Sequence, residues 1–382
     1  MISGLYNFMD VTGFPHQVGG HFGLLTCSGH VCKPLNQREY SFYQQITADL
    51  QSFTPNFCGR IRVNLSTSQD GAVSMSTDQT IQCHSPKNIL CVCDKDDAVS
   101  TSAENDGNGG DERKMTFRLR NKRVEAESVT NAWAGQCQSK VVQKLVNGYD
   151  KWFIVLEDMV SSFSRPCVVD LKMGTRQYGD DASAQKRLSQ HQKCRQSTSE
   201  EMGVRMVGMQ LYDRRTKSFV YVNKYEGRRM DRIQFISALS VYFRTAGFQR
   251  SKQFLERLLA LSKVMSSSEG FRFFSSSLLI AFDGNPSSSS DVVVSMIDFA
   301  HSTFPGFLED KVYEGVDEGY LLGINSLCTI LCDIIEDLNV EMKEGLLPNQ
   351  EWPISKCRKR KFELENGSED LKVPELLVTD TN

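Results

Sequence analysis

Long apolar runs are missing from this 382-residue chain; none reaches the roughly 20 residues that a helix needs to cross a bilayer. Net charge is nearly missing too. The 44 Lys and Arg against 47 Asp and Glu leave a formal −3, so no global field draws the chain to nucleic acid or to a membrane. Any anion site must be a local cluster. Met1 to Asp10 lack the basic-then-apolar pattern of a secretory signal. The 12 cysteines include no paired C-x-x-C elements and often sit beside apolar residues, as at Cys167, Cys328 and Cys332. Cys83, His84, Cys91 and Cys93 cluster in sequence, but without zinc-finger spacing they read as unpaired thiols in a loop rather than a zinc site. These absences point to a reduced, intracellular, soluble protein, expected in the cytoplasm, the nucleus or both. They also predict a monomer with no nucleic-acid partner and no membrane insertion. A hydrophobic fraction of 40% suffices for a sizeable core, in one large domain or two modest ones.

The most informative stretch is Arg165-Pro166-Cys167-Val168-Val169-Asp170-Leu171-Lys172-Met173-Gly174-Thr175. Pro166 can open a strand and Gly174 can close it. With period two, Cys167, Val169 and Leu171 share an apolar face, and Val168, Asp170 and Lys172 share the other. A carboxylate and an ammonium on a buried strand are costly unless something uses them, although spacing alone leaves a structural ion pair open.

The stretch resembles the P-x-x-x-D-x-K-x-G signature of the inositol polyphosphate kinase family. The longer run from Asp170 through Gly174-Thr175-Arg176-Gln177-Tyr178-Gly179-Asp180-Asp181-Ala182-Ser183 is similar to its inositol hexakisphosphate kinase branch. The resemblance implies an α+β, two-lobed kinase fold, with antiparallel sheets and packed helices grasping ATP. It covers about residues 14–60 and 115–340.

In chain order, residues 14–35 read as a hairpin with turn signals at Gly19-Gly20 and Ser28-Gly29. Asn36 with Glu39 makes a capping-box-like start for a helix carrying Phe42, Tyr43, Ile46 and Leu50. Lys33, at a strand end, with Glu39 on the next helix, resembles the kinase lysine that grips ATP phosphates and its orienting glutamate; alone Lys33 reads as a surface lysine. Residues 1–63 are expected to be the first part of the N-lobe. Ser, Thr, Asp, Asn and Gly dominate residues 64–114, which read as a mostly disordered insertion. Residues 115–160 read as the rest of the N-lobe and the hinge, with a loosely helical pattern over 125–147 and a buried strand over 151–160. Backbone groups at Glu157 and Met159 are the ones the resemblance assigns to the adenine edge.

Residues 161–347 are expected to form the C-lobe. After Gly179-Asp180-Asp181 a helix capped by Asp181 or Ser183 puts Lys186, Gln190 and Lys193 on one stripe. Such a stripe is ordinarily a solvated face, but by resemblance it is the inositol-phosphate-binding helix. Ser189 stands where many members carry Arg. Two strands are expected over 204–212 and 219–225, the second running into Lys224-Tyr225-Glu226-Gly227-Arg228, which resembles a K-Y-x-G-R element of the same branch. Two helices follow, whose core side is read as Ile233, Ile236, Leu239 and Phe243, then Phe254, Leu258 and Leu261. The hairpin over 275–299 ends in Ile297-Asp298-Phe299-Ala300-His301, similar to the family's I-D-F-A-H element. Asp298 is thereby assigned to Mg²⁺ bridging the ATP phosphates, and His301 to a neighbour, since Mg²⁺ prefers oxygen. A broad apolar face over 317–341 closes the lobe. Residues 348–382 read as a flexible tail, whose basic run over 356–361 is a weak nuclear-import signal.

The resemblance implies catalysis by Lys172 and Asp298, with Asp170 on the ATP ribose hydroxyls. It implies ATP and inositol hexakisphosphate as substrates, with the pentakisphosphate as a further one and a diphosphoinositol pentakisphosphate as product. The rivals are a trisphosphate kinase or multikinase acting on hydroxyls, and an inactive scaffold that binds inositol polyphosphates or a protein partner.

Overall fold

Alternating buried and exposed residues build most of the first half of the chain into one antiparallel sheet. The computed structural model describes residues 8–20, 22–81, 115–129, 131–149, 151–288, 291–308 and 310–344. The first half runs β1 (Met9–Gly13), β2 (Leu25–Cys27), β3 (His30–Pro34), α1 (Gln37–Gln45), α2 (Ala48–Gln51), β4 (Phe57–Arg62), β5 (Asn64–Thr67), β6 (Ala72–Thr77), β7 (Thr116–Arg120), β8 (Arg123–Glu127), α3 (Ala132–Val146) and β9 (Trp152–Glu157). Among the described residues the strand order is β4-β9-β3-β2-β1-β6-β7-β8, with β5 paired to β6. Helix α3 packs on β8. The turn between β2 and β3 uses Ser28 and Gly29, both at positive φ.

Two expectations are corrected here. Residues 64–77, read as part of a disordered insertion, form β5 and β6 within the sheet. Average composition hid a period of two, since Val73, Met75 and Thr77 are buried while Ser74 is exposed. The rest of that insertion beyond residue 81, with Cys83, His84, Cys91 and Cys93, lies outside the described residues, as do the tail and its basic run. The helix expected over 125–147 starts at Ala132, where the Asn131 side chain accepts from the amides of Trp133 and Ala134; residues 123–127 are strand β8.

The second half runs β10 (Pro166–Met173), α4 (Ala184–Arg195), α5 (Ser199–Met202), β11 (Val204–Asp213), β12 (Ser218–Val222), α6 (Lys224–Arg229), α7 (Arg232–Ala246), α8 (Phe248–Ser266), β13 (Ser277–Asp283), β14 (Val293–Ile297) and α9 (Glu318–Lys343). Its sheet has the order β12-β11-β10-β13-β14, so β10 is central. Cys167, Val169, Leu171 and Met173 of β10 point into the main core with α7, α8 and α9, the apolar face expected from period two. Two further corrections belong to this half. The strand expected to reach Tyr225 ends at Val222, because Asn223 and Glu226 form a capping box that starts α6 at Lys224. In α7, Leu239 and Phe243 are buried as expected and Ile236 packs against the core, but Ile233 is 65% exposed, and Phe235, Tyr242 and Ala246 complete the buried face.

The halves are joined by more than their linker. Phe42 of α1 stacks on Phe299 at 4.6 Å and meets Phe273, Phe304 and Phe307 edge-on. Helix α1 thus follows a strand of the first sheet but packs into the core of the second half. Arg38 adds an ion pair to Asp310 and donates to the Ser302 carbonyl. No helix among the described residues is long and apolar enough to cross a membrane.

Candidate active site

The junction of the two sheets gathers the charged residues singled out above. Lys33 leaves β3 beside β9, and its ammonium lies 2.8 Å from Glu39 Oε1 and 2.5 Å from Asp298 Oδ1. Glu39 is fully buried and its Oε1 also accepts from the Phe299 amide at 3.0 Å. One carboxylate therefore ties the Lys33 side chain to the strand end that carries Asp298. Burial works against the Lys33 charge, but Asp298 and Glu39 outweigh it and hold the pKa above the usual lysine value. Asp298 sits at φ 67°, a left-handed conformation that Asp tolerates better than most residues and that turns the chain out of β14.

Asp170 and Lys172 lie on the same face of β10, with Asp170 opposite Leu279 of β13. Burial and then the neighbouring Asp298 charge push the Asp170 carboxyl up to about 6, against the pull of Lys172 and a hydrogen bond from Ser277. Its Oδ1 is buried without a partner among the described residues. Two neighbouring carboxylates, one of them raised and with an orphaned oxygen, fit a site made for hydroxyl donors and a hard cation. The loop after β1 comes down onto this spot. A Cβ on Gly19 would stand 1.9 Å from Asp170 Oδ2, and one on Gly208 of β11 would stand 1.9 Å from the Val18 carbonyl oxygen, so the backbones meet only because both are glycine.

The loop is anchored from α3. Asn131 donates to the Gln17 carbonyl at 3.0 Å and Gln138 to the Phe14 carbonyl at 2.6 Å, while Gln17 itself donates to the Gly19 and Phe22 carbonyls. Beside it, Phe14, Val18, Val160, Phe163, Val168 and Ala281 form an apolar cluster spanning both halves at the hinge, with Leu24, Val31 and Leu279 against it. At the hinge, the Glu157 amide donates to the Asn56 carbonyl at 3.0 Å and its carboxylate accepts from the Asn56 amide. An adenine edge would therefore have to use the Glu157 carbonyl rather than its amide. Met159, the second hinge residue assigned to adenine, lies half-buried in the turn that follows β9.

Basic residues line the other side. Arg205 of β11 stands directly across from Lys172 in the register, and its guanidinium Nε is buried without a partner. Burial, then Arg228, lowers the Arg205 pKa; burial likewise lowers that of Lys172, with Arg205 adding repulsion. The charges of Lys140, Arg228 and Lys193 all bear on Lys224. Ser183 caps α4, accepting from the Lys186 amide. Burial first, then the Lys186 charge, lowers the His301 pKa, so Lys186 bears on His301 at the Asp298 end of the site. Lys193 lies at the Lys224 end. Gln190 instead lines a cavity of about 290 Å³ with Thr175, Gln177, Tyr178 and Cys194, between α4 and the turn after β10.

The structure thus brings together Lys33, Asp170, Lys172 and Asp298, with Lys186 and Lys193 at the two ends. It adds Arg205, Lys224 and Arg228 to the site, sets Glu39 on Lys33 as the resemblance implies, and brings Gly19 of the weakly signalled Gly19-Gly20 turn onto Asp170. Of these, only Arg205 carried a signal left unused, an arginine inside the apolar strand Val204-Arg205-Met206.

A family model described as inositol polyphosphate kinase matches residues 153–332. The chain is 34% identical to mouse inositol hexakisphosphate kinase 3 over 374 residues, covering 85% of this chain and 94% of that one. It is 31% identical to human inositol hexakisphosphate kinase 1, covering 83% and 92%. Among solved structures, an inositol phosphate multikinase from S. cerevisiae in complex with ADP and Mn²⁺ matches at 27% identity and a TM-score of 0.43, over 48% of this chain and 84% of that one. Similarity that runs through nearly the whole length of the curated relatives leads to one assignment: the chain belongs to the inositol polyphosphate kinase family, in its inositol hexakisphosphate kinase branch.

Proposed function

We propose that the protein transfers the γ-phosphoryl group of ATP to a phosphate of inositol hexakisphosphate, at the 5-position, giving a diphosphoinositol pentakisphosphate. Inositol pentakisphosphate is a second substrate. The observation that carries this reading is the pairing, across β10, of a nucleotide-type cluster (Lys33, Asp170, Asp298) with six cations drawn from β10, α4, β11 and α6 (Lys172, Lys186, Lys193, Arg205, Lys224, Arg228). A substrate with six phosphates needs that many separate grips, and a trisphosphate does not.

Phosphoryl transfer leaves a protein little covalent work; it must align the reactants and stabilise negative charge. The apolar cluster at the hinge suits the faces of a purine, and Asp170 suits the ribose hydroxyls, which would occupy its orphaned oxygen. Lys33, held on Glu39, is set to bind nucleotide phosphate once that phosphate replaces Asp298 as its partner. Asp298 would hold Mg²⁺. Among the described residues no three His, Cys, Asp or Glu side chains cluster as ligands, so the metal's remaining oxygens would come from nucleotide phosphates and water. The ion would neutralise charge on the phosphates during transfer. Lys172 stands between this cluster and the cationic wall, where the γ-phosphate and the acceptor phosphate would meet. The acceptor is already ionised at neutral pH, so no side chain has to remove its proton.

The test is to incubate the purified protein with Mg-ATP and labelled inositol hexakisphosphate and to resolve products by charge. A more anionic product that disappears in Asp298→Ala is expected. Phosphorylation of inositol trisphosphate alone would replace the proposal by a hydroxyl kinase, and no product from either would leave a binding scaffold.

A further inference from the structure

Lys224, at the start of α6, is the cation in the wall whose placement needs explaining. Its ammonium lies 4.4 Å from the centre of the Trp133 ring and 5.2 Å from that of Tyr225, and the two rings meet edge to face at 5.8 Å. Its charged neighbours repel it: burial, and then the charges of Lys140, Arg228 and Lys193, hold its pKa below the ordinary lysine value. Among the described residues no ion pair joins Lys224 to a carboxylate. Glu226, on the first turn of the same helix, is occupied as a cap, accepting from the Asn223 amide at 2.8 Å.

A carboxylate would fix this ammonium, but it would also cancel the charge and compete with a substrate phosphate. An aromatic face attracts a cation without neutralising it. Trp133 supplies that face from the first turn of α3, in the other half of the molecule. Its indole N–H is buried without a partner among the described residues, so no hydrogen bond accounts for its position. The same helix turn carries Asn131, which holds the Gln17 carbonyl of the loop lying on Asp170. One helix end therefore touches both the nucleotide loop and the substrate wall.

We propose that Trp133 is a positioning residue for the inositol phosphate: its ring holds the Lys224 ammonium, with its charge intact, as a grip for one substrate phosphate. The proposal rests on the kinase reading above and deepens it. Because Trp133 touches Lys224 and not the reacting atoms, its loss acts on substrate affinity, while the Asn131 contact to the loop stays in place.

The experiment measures KM for both substrates in Trp133→Ala, Trp133→Phe, Lys224→Ala and the Trp133→Ala/Lys224→Ala double variant. Trp133→Ala should raise KM for inositol hexakisphosphate roughly three- to thirtyfold, the range for one partly desolvated cation–π contact. KM for ATP should move by no more than about twofold, Trp133→Phe should recover most of the loss, and the double variant should resemble Lys224→Ala alone. An effect of the same size in the Lys224→Ala background would overturn the proposal. So would an equal rise in the KM for ATP, or failure of Phe to rescue. Should Trp133→Ala not fold, Trp133→Leu against Trp133→Phe makes the same comparison. If the wild-type protein makes no product, the kinase reading fails separately, and calorimetric affinity for inositol hexakisphosphate decides this one: unchanged binding in Trp133→Phe and Trp133→Leu alike refutes it.

Discussion

Replacing Asp170 by Asn removes a charge that the fold holds against its own interest. The carboxyl is pushed up to about 6 from an ordinary 3.8, by burial first and by Asp298 second. The native state therefore binds this proton more tightly than the unfolded chain does. Wild-type stability falls as pH rises from about 4 to about 6, and above that range the full penalty is present, about 3 kcal/mol. The Asp170→Asn protein would carry no such penalty, so its gain over wild type should grow with pH, to about half of the full value near pH 5 and about 3 kcal/mol at pH 8. Urea denaturation of both proteins without nucleotide, at several pH values, reads the difference. Adding ATP should reverse the order, because the wild-type carboxylate gains two hydroxyl donors that the amide accepts less well. A difference that does not change with pH, or a variant less stable than wild type at pH 8, would refute the electrostatic account of this site. The same titration predicts that KM for ATP rises as pH falls below about 6, and that Asp170→Asn removes that dependence.

Lys172→Ala should lower turnover by about a hundredfold or more, the scale for one preorganised charge-stabilising group, and unchanged turnover would remove Lys172 from the mechanism. Glu39→Gln removes the negative charge that holds the Lys33 ammonium at the Asp298 strand end and leaves only a neutral acceptor; KM for ATP should rise by about tenfold, measured by initial rates. Phe42→Ala empties the aromatic contact between α1 and Phe299 and should cost about 3–5 kcal/mol in chemical denaturation; a loss below about 1 kcal/mol would show that the cluster repacks. Arg205→Met keeps the bulk of a buried side chain while removing its charge, so inositol hexakisphosphate affinity should fall with little loss of stability.

The sequence alone determined the elements whose pattern is strong over a short window. The face alternation of β10, the caps at Asn36 and Ser183, the β13–β14 hairpin and the long apolar face of α9 could each be read locally, because each follows from residues within a few positions of one another. The P-x-x-x-D-x-K-x-G and I-D-F-A-H elements could be read for the same reason. Where apolar residues were few, reading by average composition failed. β6 alternates buried Val73, Met75 and Thr77 with more exposed residues, and only the presence of neighbouring strands turns that face into core. In α7 the expected face holds at Leu239 and Phe243, while Phe235 rather than Ile233 is buried in the first turns.

Tertiary structure alone decided who meets whom. Lys33 and Asp298 are 265 positions apart and pair at 2.5 Å, with Glu39 fixing both. Arg205 faces Lys172 through strand register, and Trp133 reaches Lys224 through the packing of α3 against the second half. A charge gains its chemical role from the charges beside it, and those neighbours are set by long-range packing rather than by sequence separation.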